Sequence, residues 1–295
     1  MSLVKEIAPA KINLFLQVTG KYDNGYHKLE TIMQSVDLYD ELTLTAAGEC
    51  IDLSVKGMFD VPENSSNLAW QAAELMKQKF EKVDSGLQIE LSKKIPVSAG
   101  LAGGSADAAA VIRGINRLFS LGLSATTMEK LALELGADVP FCIRGGTALA
   151  CGRGEKLTFL PTPDMKNNSL LLINPQIAVS TEEIFAQVSR EDFSRKTKTA
   201  KFVNLLLSDR EINWTEGWKN DLEQITFSLY PCLEDLKEKI LMFEPRYILM
   251  TGSGPTLVVV LDSEKKAAEL ENNWDGKEKI FLVNFLNCDE ANTLS

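Results

Sequence analysis

One segment, Pro96-Val-Ser-Ala-Gly100-Leu-Ala-Gly-Gly-Ser105-Ala-Asp-Ala-Ala-Ala110, constrains this chain more than any other. Three glycines fall within five positions and run into an alanine-rich stretch in which Ala108, Ala109, Ala110 and Ile112 lead towards Leu118. Glycine adopts backbone conformations closed to other residues and lets a main chain approach a ligand. A helix that begins at the end of such a loop presents unpaired N–H groups and the positive end of its dipole. The pattern therefore predicts a loop feeding a helix with Ser105 as its N-cap, and a loop that can cradle a phosphate. It is not a Walker A loop, because Ser105 stands where a lysine is needed, and the spacing is not GxGxxG. A tight strand-to-helix turn is the plain alternative. Lys93 and Lys94 precede the loop and read first as a solvated pair, second as added positive charge for it.

Length and composition bound the rest. At 295 residues the chain is long enough for two domains of about 150 residues each. Lysine plus arginine number 31 against 41 aspartates and glutamates, a net charge of −10. Such a chain lacks the broad positive field that nucleic acid or an anionic membrane attracts, so neither is an expected partner. One histidine, His27, cannot supply a HExxH zinc site. The five cysteines form no CxxC pair and read as reduced thiols of a cytoplasmic protein. No apolar run reaches the roughly 20 residues of a membrane span. Lys11 and Asn13 interrupt the first apolar stretch, so no signal peptide is expected.

Periodicity places the elements. Ile12, Leu14, Leu16 and Val18 alternate with Lys11, Asn13, Phe15 and Gln17, so Lys11 and Asn13 share the face opposite Ile12 and Leu14. Strands are also expected around 51–55 and 87–91. Helices are expected from Leu68, after cap candidates Asn64 to Asn67, and from Ser124 to Leu135 with Gly136 as a left-handed cap. Residues 161–168, rich in proline and turn formers, form the best linker. Beyond it, strands are expected at 170–173, 247–250, 256–261 and 280–285, and helices at 181–188, 231–243 and 264–272. The architecture predicted is α+β, two domains at 1–162 and 163–295 with the active site in the cleft between them. The basic run from Arg190 through Arg195, Lys196 and Lys198 to Lys201 reads as a solvated face. Leu205, Leu206 and Leu207 read as core, and Trp214 and Trp218, at helical spacing, as internal packing.

Two further constellations carry chemistry. Gly136-Ala-Asp138-Val-Pro-Phe141 sets an aspartate just past a helix end beside a stiffening proline. It reads either as a turn residue or as a general base for a hydroxyl that attacks phosphate. The second role needs a nearby cation, and Lys11 is the candidate. Thr251-Gly-Ser-Gly254-Pro255 is a glycine-rich turn between strands, by itself a simple hairpin connection.

In this order the three segments resemble the three motifs of the GHMP kinase superfamily. Ala8-Pro-Ala-Lys11-Ile-Asn13-Leu, the stretch from Tyr22-Asp-Asn-Gly-Tyr26-His27 to Asp40, Gly136 to Phe141 and Asn220-Asp-Leu-Glu223 resemble the 4-diphosphocytidyl-2-C-methyl-D-erythritol kinase family within it. The resemblance spans essentially the whole chain. It implies a two-domain GHMP kinase fold, with a ribosomal-S5-like N-terminal domain and a ferredoxin-like C-terminal sandwich. It implies transfer of the ATP γ-phosphate to the C2 hydroxyl of the cytidine-diphosphate sugar alcohol, in the non-mevalonate isoprenoid pathway. Asp138 would be the base, and Lys11 would polarise the hydroxyl. Pro96, Val97, Ser98, Ala99, Gly100, Leu101, Ala102, Gly103, Gly104, Ser105 and Ala106 would hold ATP, with Asn67 and Lys94 close to the nucleotide. Asn13 would contact the methylerythritol. Tyr26 and Phe185 would sandwich the cytosine, His27 would hydrogen-bond it, and Thr181 would lie on the cytidine side. Gly252, Ser253 and Gly254 would close the substrate end. Magnesium would accompany ATP, with no ligands assigned.

Two positions depart from the family's usual GLGGGSSDAAA. Ala102 replaces a glycine, acceptable if its φ is negative, and Ala106 replaces the second serine. Two alternatives stay open: a GHMP kinase for another alcohol, which has no use for a cytosine sandwich, and a non-catalytic nucleotide- or RNA-binding module, which the charge and the paired Lys11 and Asp138 disfavour. The oligomeric state, monomer or weak homodimer, is not legible.

Overall fold

In a computed structural model, the structure describes all residues except 1, 166–167, 194–197, 209–211, 215–216 and 294–295. A long hairpin organises the N-terminal half. Strand β1 (Leu3–Lys21) pairs antiparallel along almost its whole length with β2 (His27–Ala46). The other edge of β2 is shared by β4 (Leu87–Lys93) near one end and β5 (Thr147–Gly152) near the other. Strands β3 (Ile51–Gly57) and β6 (Lys156–Leu160) complete a six-stranded sheet, in which only β3 and β4 run parallel. Strand β4 shows how this sheet acquires its buried face, since Leu87, Ile89 and Leu91 point inward and Gln88 and Glu90 outward.

Helices α1 (Leu68–Lys79), α2 (Gly103–Leu118), α3 (Ala125–Ala132) and α4 (Val139–Arg144) bury that face. Ala108, Ala109, Ala110, Val111 and Ile112 of α2 are fully buried, and their small side chains bring the helix close to the strands.

The C-terminal half is built on a second, antiparallel sheet in the order β10-β7-β9-β8, made of β7 (Ser169–Asn174), β8 (Tyr247–Met250), β9 (Leu257–Leu261) and β10 (Lys279–Val283). Both its faces are covered. Leu171, Ile173, Leu257 and Val259 pack on α5 (Thr181–Gln187), α7 (Glu223–Leu229), α8 (Cys232–Leu241) and α9 (Glu264–Asn273). Leu170, Leu172, Val258 and Val260 join Ile12, Leu14 and Phe15 of β1, together with Phe202 of α6 (Thr199–Ser208). A strand buried on both sides has no polar face to alternate with, which explains why β9 reads Leu-Val-Val-Val-Leu. A last turn, α10 (Glu290–Thr293), follows. No helix among the described residues is long and apolar enough to cross a membrane.

The fold is α+β with two sheets, as expected, and several local expectations change. The segment after His27 is a strand throughout. Helix α2 begins at Gly103 with Ala102 as its N-cap, so Ser105 is the third helical residue and not the cap. Ala102 has φ +55°, in the left-handed region, contrary to the negative φ expected. Helix α3 stops at Ala132, and Gly136 is not among the positive-φ residues. Asp138 opens a short helix that periodicity did not announce. Trp214 and Trp218 are buried, with ring centroids 6.0 Å apart, but Trp218 lies in irregular chain. Leu206 is core while Leu207 is 55% exposed on the outer face of α6. Arg195 and Lys196 lie outside the described residues.

Candidate active site

The free edge of β1 gathers the site. Register shifts between Pro9 and Lys11 and between Asn13 and Phe15 bracket Lys11 and Asn13, and bulges of this kind re-aim side chains. The Lys11 N–H donates to the Leu101 carbonyl at 3.1 Å, and the Asn13 N–H donates to Thr251 Oγ1 at 2.9 Å. The Leu16 N–H donates to the Lys219 carbonyl at 2.8 Å. One strand edge thereby binds the glycine-rich loop, the Thr251–Pro255 turn and the Asn220 segment. Asn220 Nδ2 donates to the Met250 and Gly252 carbonyls, both at 2.7 Å, and so fixes the start of that turn.

The loop and the turn touch backbone to backbone. A Cβ on Gly100, at φ +75°, would lie 2.3 Å from the Thr251 carbonyl oxygen, so only glycine fits there. The residues between Ser98 (φ +52°) and Ala102 coil so that the α2 N-terminus faces a cavity of about 790 Å³. Gly103, Gly104 and Ser105 line it, and as the first three residues of a 16-residue helix their N–H groups have no partner in the helix. The arrangement is an anion cradle.

Across this cavity stands the pair expected from the sequence. Lys11, 4% exposed, donates from Nζ to Asn13 Oδ1 at 2.8 Å and lies 3.7 Å from Asp138 Oδ2. Asn13 Nδ2 donates to Thr31 Oγ1 at 2.7 Å, and the Thr31 hydroxyl donates to the Phe15 carbonyl at 2.6 Å, which locks the asparagine. Asp138 is the N-cap residue of α4, yet its side chain makes no cap hydrogen bond. Its carboxylate is left facing the cavity, with Pro140 stiffening the first turn.

The lysine beneath the loop is Lys93 and not Lys94. Lys93 is 2% exposed, pairs with Asp40, and donates to Asp107 Oδ2 at 2.6 Å. Asp40 Oδ1 also accepts the N–H groups of Lys94 at 2.5 Å and Ile95 at 2.9 Å, anchoring the entry to the loop. Burial acts to lower the Lys93 pKa, but Asp107 and Asp40 outweigh it and raise the ammonium above its ordinary value. Burial holds the Asp107 carboxyl well above the usual carboxylate range despite Lys93. Lys94, expected close to the nucleotide, points outward to Glu41, at 2.5 Å, and does not line the cavity. Continued alternation along β4 already places Lys93 on the buried side, a signal that the adjacent lysine obscured.

Pro96, Val97, Ser98, Ala99 and Ala102 line the cavity with the glycines, whereas Leu101 and Ala106 lie buried behind them. Asn67 lines it too, but its amide caps α1, accepting from the Ala69 N–H and donating to the Pro62 carbonyl. Gly252 and Ser253 close the far end, and Thr181 and Ser253 join hydroxyls at 2.8 Å across it. Gly254 is left out of the lining.

A second cavity of about 920 Å³ adjoins the first through Leu29, Ala137, Arg153, Thr181 and Phe185. Tyr26 and His27 line this one. Phe185 stacks on His27 at 5.3 Å, while Tyr26, 56% exposed, carries the Arg153 guanidinium 5.0 Å above its ring. The two aromatics are therefore not stacked face to face. His27 is buried with Nε2 unpartnered, and burial, reinforced by Lys21 and opposed by the Val188 backbone, lowers its pKa. Burial thus favours the neutral ring. Arg153 and Thr31 were not singled out from the sequence, because nothing in a Gly-Arg-Gly turn or a mid-strand threonine signals their neighbours.

Comparison with known proteins identifies the family. Residues 67–146 match the family model described as the GHMP kinases N terminal domain. The chain is 38% identical to the 4-diphosphocytidyl-2-C-methyl-D-erythritol kinase of Macrococcus caseolyticus, over 96% of this chain and 100% of that protein. It is 41% identical to the enzyme of that name from Bacillus pumilus, over 98% and 99%. A crystal structure of 4-(cytidine 5'-diphospho)-2C-methyl-D-erythritol kinase superposes with a TM-score of 0.78 at 30% identity, covering 95% of this chain and 99% of that one. The chain is a kinase and belongs to the 4-diphosphocytidyl-2-C-methyl-D-erythritol kinase family of the GHMP kinases.

Proposed function

We propose that the chain transfers the γ-phosphate of ATP to the C2 hydroxyl of 4-diphosphocytidyl-2-C-methyl-D-erythritol, giving the 2-phosphate and ADP. The observation that carries this reading is the Lys11–Asp138 pair, 3.7 Å apart, in one cavity with the open N-terminus of α2. Asp138 accepts the hydroxyl proton, and Lys11 polarises that oxygen and screens the charge moving between the two molecules. The first N–H groups of α2, with the loop 96–106, hold the phosphates, so the chain supplies position and charge for a transfer that needs little covalent chemistry. Asn13, locked by Thr31, orients the methylerythritol. The second cavity takes the cytidine, with His27 reading the base largely through its backbone groups and Tyr26, Phe185 and Thr181 around it. Gly252 and Ser253 border the acceptor.

Among the described residues no three histidine, cysteine or acidic side chains gather to hold a metal. Magnesium would accompany ATP, with Ser98 and Ser105 the loop hydroxyls that line the cavity. When bound, the ion screens the phosphate oxygens.

The test is ATP-dependent turnover with magnesium on 4-diphosphocytidyl-2-C-methyl-D-erythritol, beside mevalonate and homoserine. Turnover on the cytidyl compound alone, abolished by Asp138→Asn with ATP binding kept, is the expected result. Turnover on another alcohol, or near-parental activity of Asp138→Asn, would overturn the acceptor or the base respectively.

A further inference from the structure

Resting on the acceptor proposed above, we propose that Arg153 binds the diphosphate bridge of a nucleoside-diphosphate ester and thereby sets the preference for that substrate class. Among the described residues Arg153 is the one cation that lines both cavities. The other two cations of the first cavity are committed: Lys11 faces Asp138, and Lys93 is buried between Asp40 and Asp107. Arg153 has no carboxylate partner among the described residues, and its guanidinium rests on the Tyr26 ring.

The turn that carries it is built rigidly. Gly152 and Gly154 have φ of +78° and +113°, and Glu155 Oε2 accepts the Arg153 N–H at 2.6 Å. The Glu155 carboxylate is thus spent on the turn backbone and leaves the guanidinium unneutralised. A Cβ on Gly154 would lie 3.8 Å from Asp138 Oδ1, so the turn abuts the proton acceptor itself. Arg153 stands between Asp138 on one side and the Tyr26 and His27 pocket on the other.

An acceptor with its hydroxyl at Asp138 and its base beside His27 must pass its anionic middle through this junction. A guanidinium offers a planar fork that matches phosphate oxygens two at a time, and a ring face holds it in place without neutralising it. A phosphate ester of a small alcohol with no base would reach Asp138 without needing this residue.

Steady-state kinetics and binding by calorimetry, with CDP and cytidine as probes, test the assignment on the full chain. Arg153→Met is expected to raise KM for the cytidyl acceptor by about 10- to 100-fold while KM for ATP stays within about twofold, since a hydrogen bond to a charged group carries that much. Arg153→Lys, which keeps charge and loses the fork, should fall between. CDP should bind the parent more tightly than cytidine does, and Arg153→Met should erase that difference while leaving cytidine affinity alone. An unchanged acceptor KM with CDP preference retained would overturn the assignment, as would equal rises in both KM values or a fall in kcat alone. A parent that binds neither CDP nor cytidine and does not turn over the cytidyl acceptor would instead remove the acceptor reading, and this assignment with it.

Discussion

Lys93→Met tests whether the buried charge cluster under the phosphate loop is held by its single cation. Methionine keeps most of the aliphatic stem and removes the ammonium. Asp40 and Asp107, 0% and 2% exposed, then share no cation. Asp40 retains the N–H groups of Lys94 and Ile95, but Asp107 Oδ1 is already unpartnered. Protonating one such carboxyl at pH 7 costs about 4 kcal/mol, from about three pH units at roughly 1.4 kcal/mol each. Breaking a buried ion pair by removing one partner costs about 3 to 5 kcal/mol, in the same range. The expected loss of unfolding free energy in urea at pH 7 is therefore about 3 to 5 kcal/mol. In the variant the orphaned carboxyl has a folded pKa above its unfolded one, so the penalty is absent below the unfolded value and grows as pH rises. Burial already raises the Asp107 carboxyl in the parent, so part of this cost cancels, and the loss should be smaller at pH 5 than at pH 7. Asp107→Asn removes the excess negative charge instead and should cost within about 1 kcal/mol. A Lys93→Met loss below about 1 kcal/mol, an equal loss at pH 5 and pH 7, or an equally damaging Asp107→Asn would refute the reasoning.

Three further outcomes follow from the loop and the cysteines. Ala102→Gly should stabilise the protein by up to about 1 kcal/mol in urea, because a left-handed alanine costs about 1–2 kcal/mol and glycine's extra unfolded freedom returns about half; a loss of stability would argue against the assigned backbone. Gly100→Ala should cost about 2 kcal/mol or more and collapse turnover, since its Cβ would meet the Thr251 carbonyl at 2.3 Å; near-parental activity would show that loop and turn need not touch. Cys142, buried beside Asp138, has its thiol pushed up to about 12 by burial first and Asp138 second. A thiol-specific disulfide reagent at pH 8 should therefore label exposed Cys50 and Cys232 quickly and Cys142 only on unfolding, as mass mapping would show.

Much of the molecule was legible in the chain because its signals are local. The alternation around Lys11 and Asn13 defines which face they share, and it does so whatever packs opposite. The glycine spacing before Ala106 announces a loop entering a helix, since the freedom of glycine and the unpaired N–H groups of a helix start are properties of a few consecutive residues. Asn67, one of the expected cap candidates, caps its helix for the same reason, while Ser124, expected as the first residue of the next helix, is its N-cap. Motif order carried the family.

The failures are equally physical. Whether Ala102 could keep a negative φ depends on how the loop must turn to meet Thr251, a contact 151 positions away from Gly100. Lys93 looked solvated because two adjacent lysines usually are, and only the fold brings Asp40 and Asp107 to the one that β4 turns inward. Leu207 follows two apolar neighbours, but α6 has one buried stripe and rotates it to the outside. The 3.7 Å between Lys11 and Asp138 closes a separation of 127 residues, through β1, α2 and α4, and no spacing rule reaches that far. Residue types and local geometry are set by the sequence directly. Which charges meet, and which are left facing a cavity, is decided by long-range packing that no short window contains.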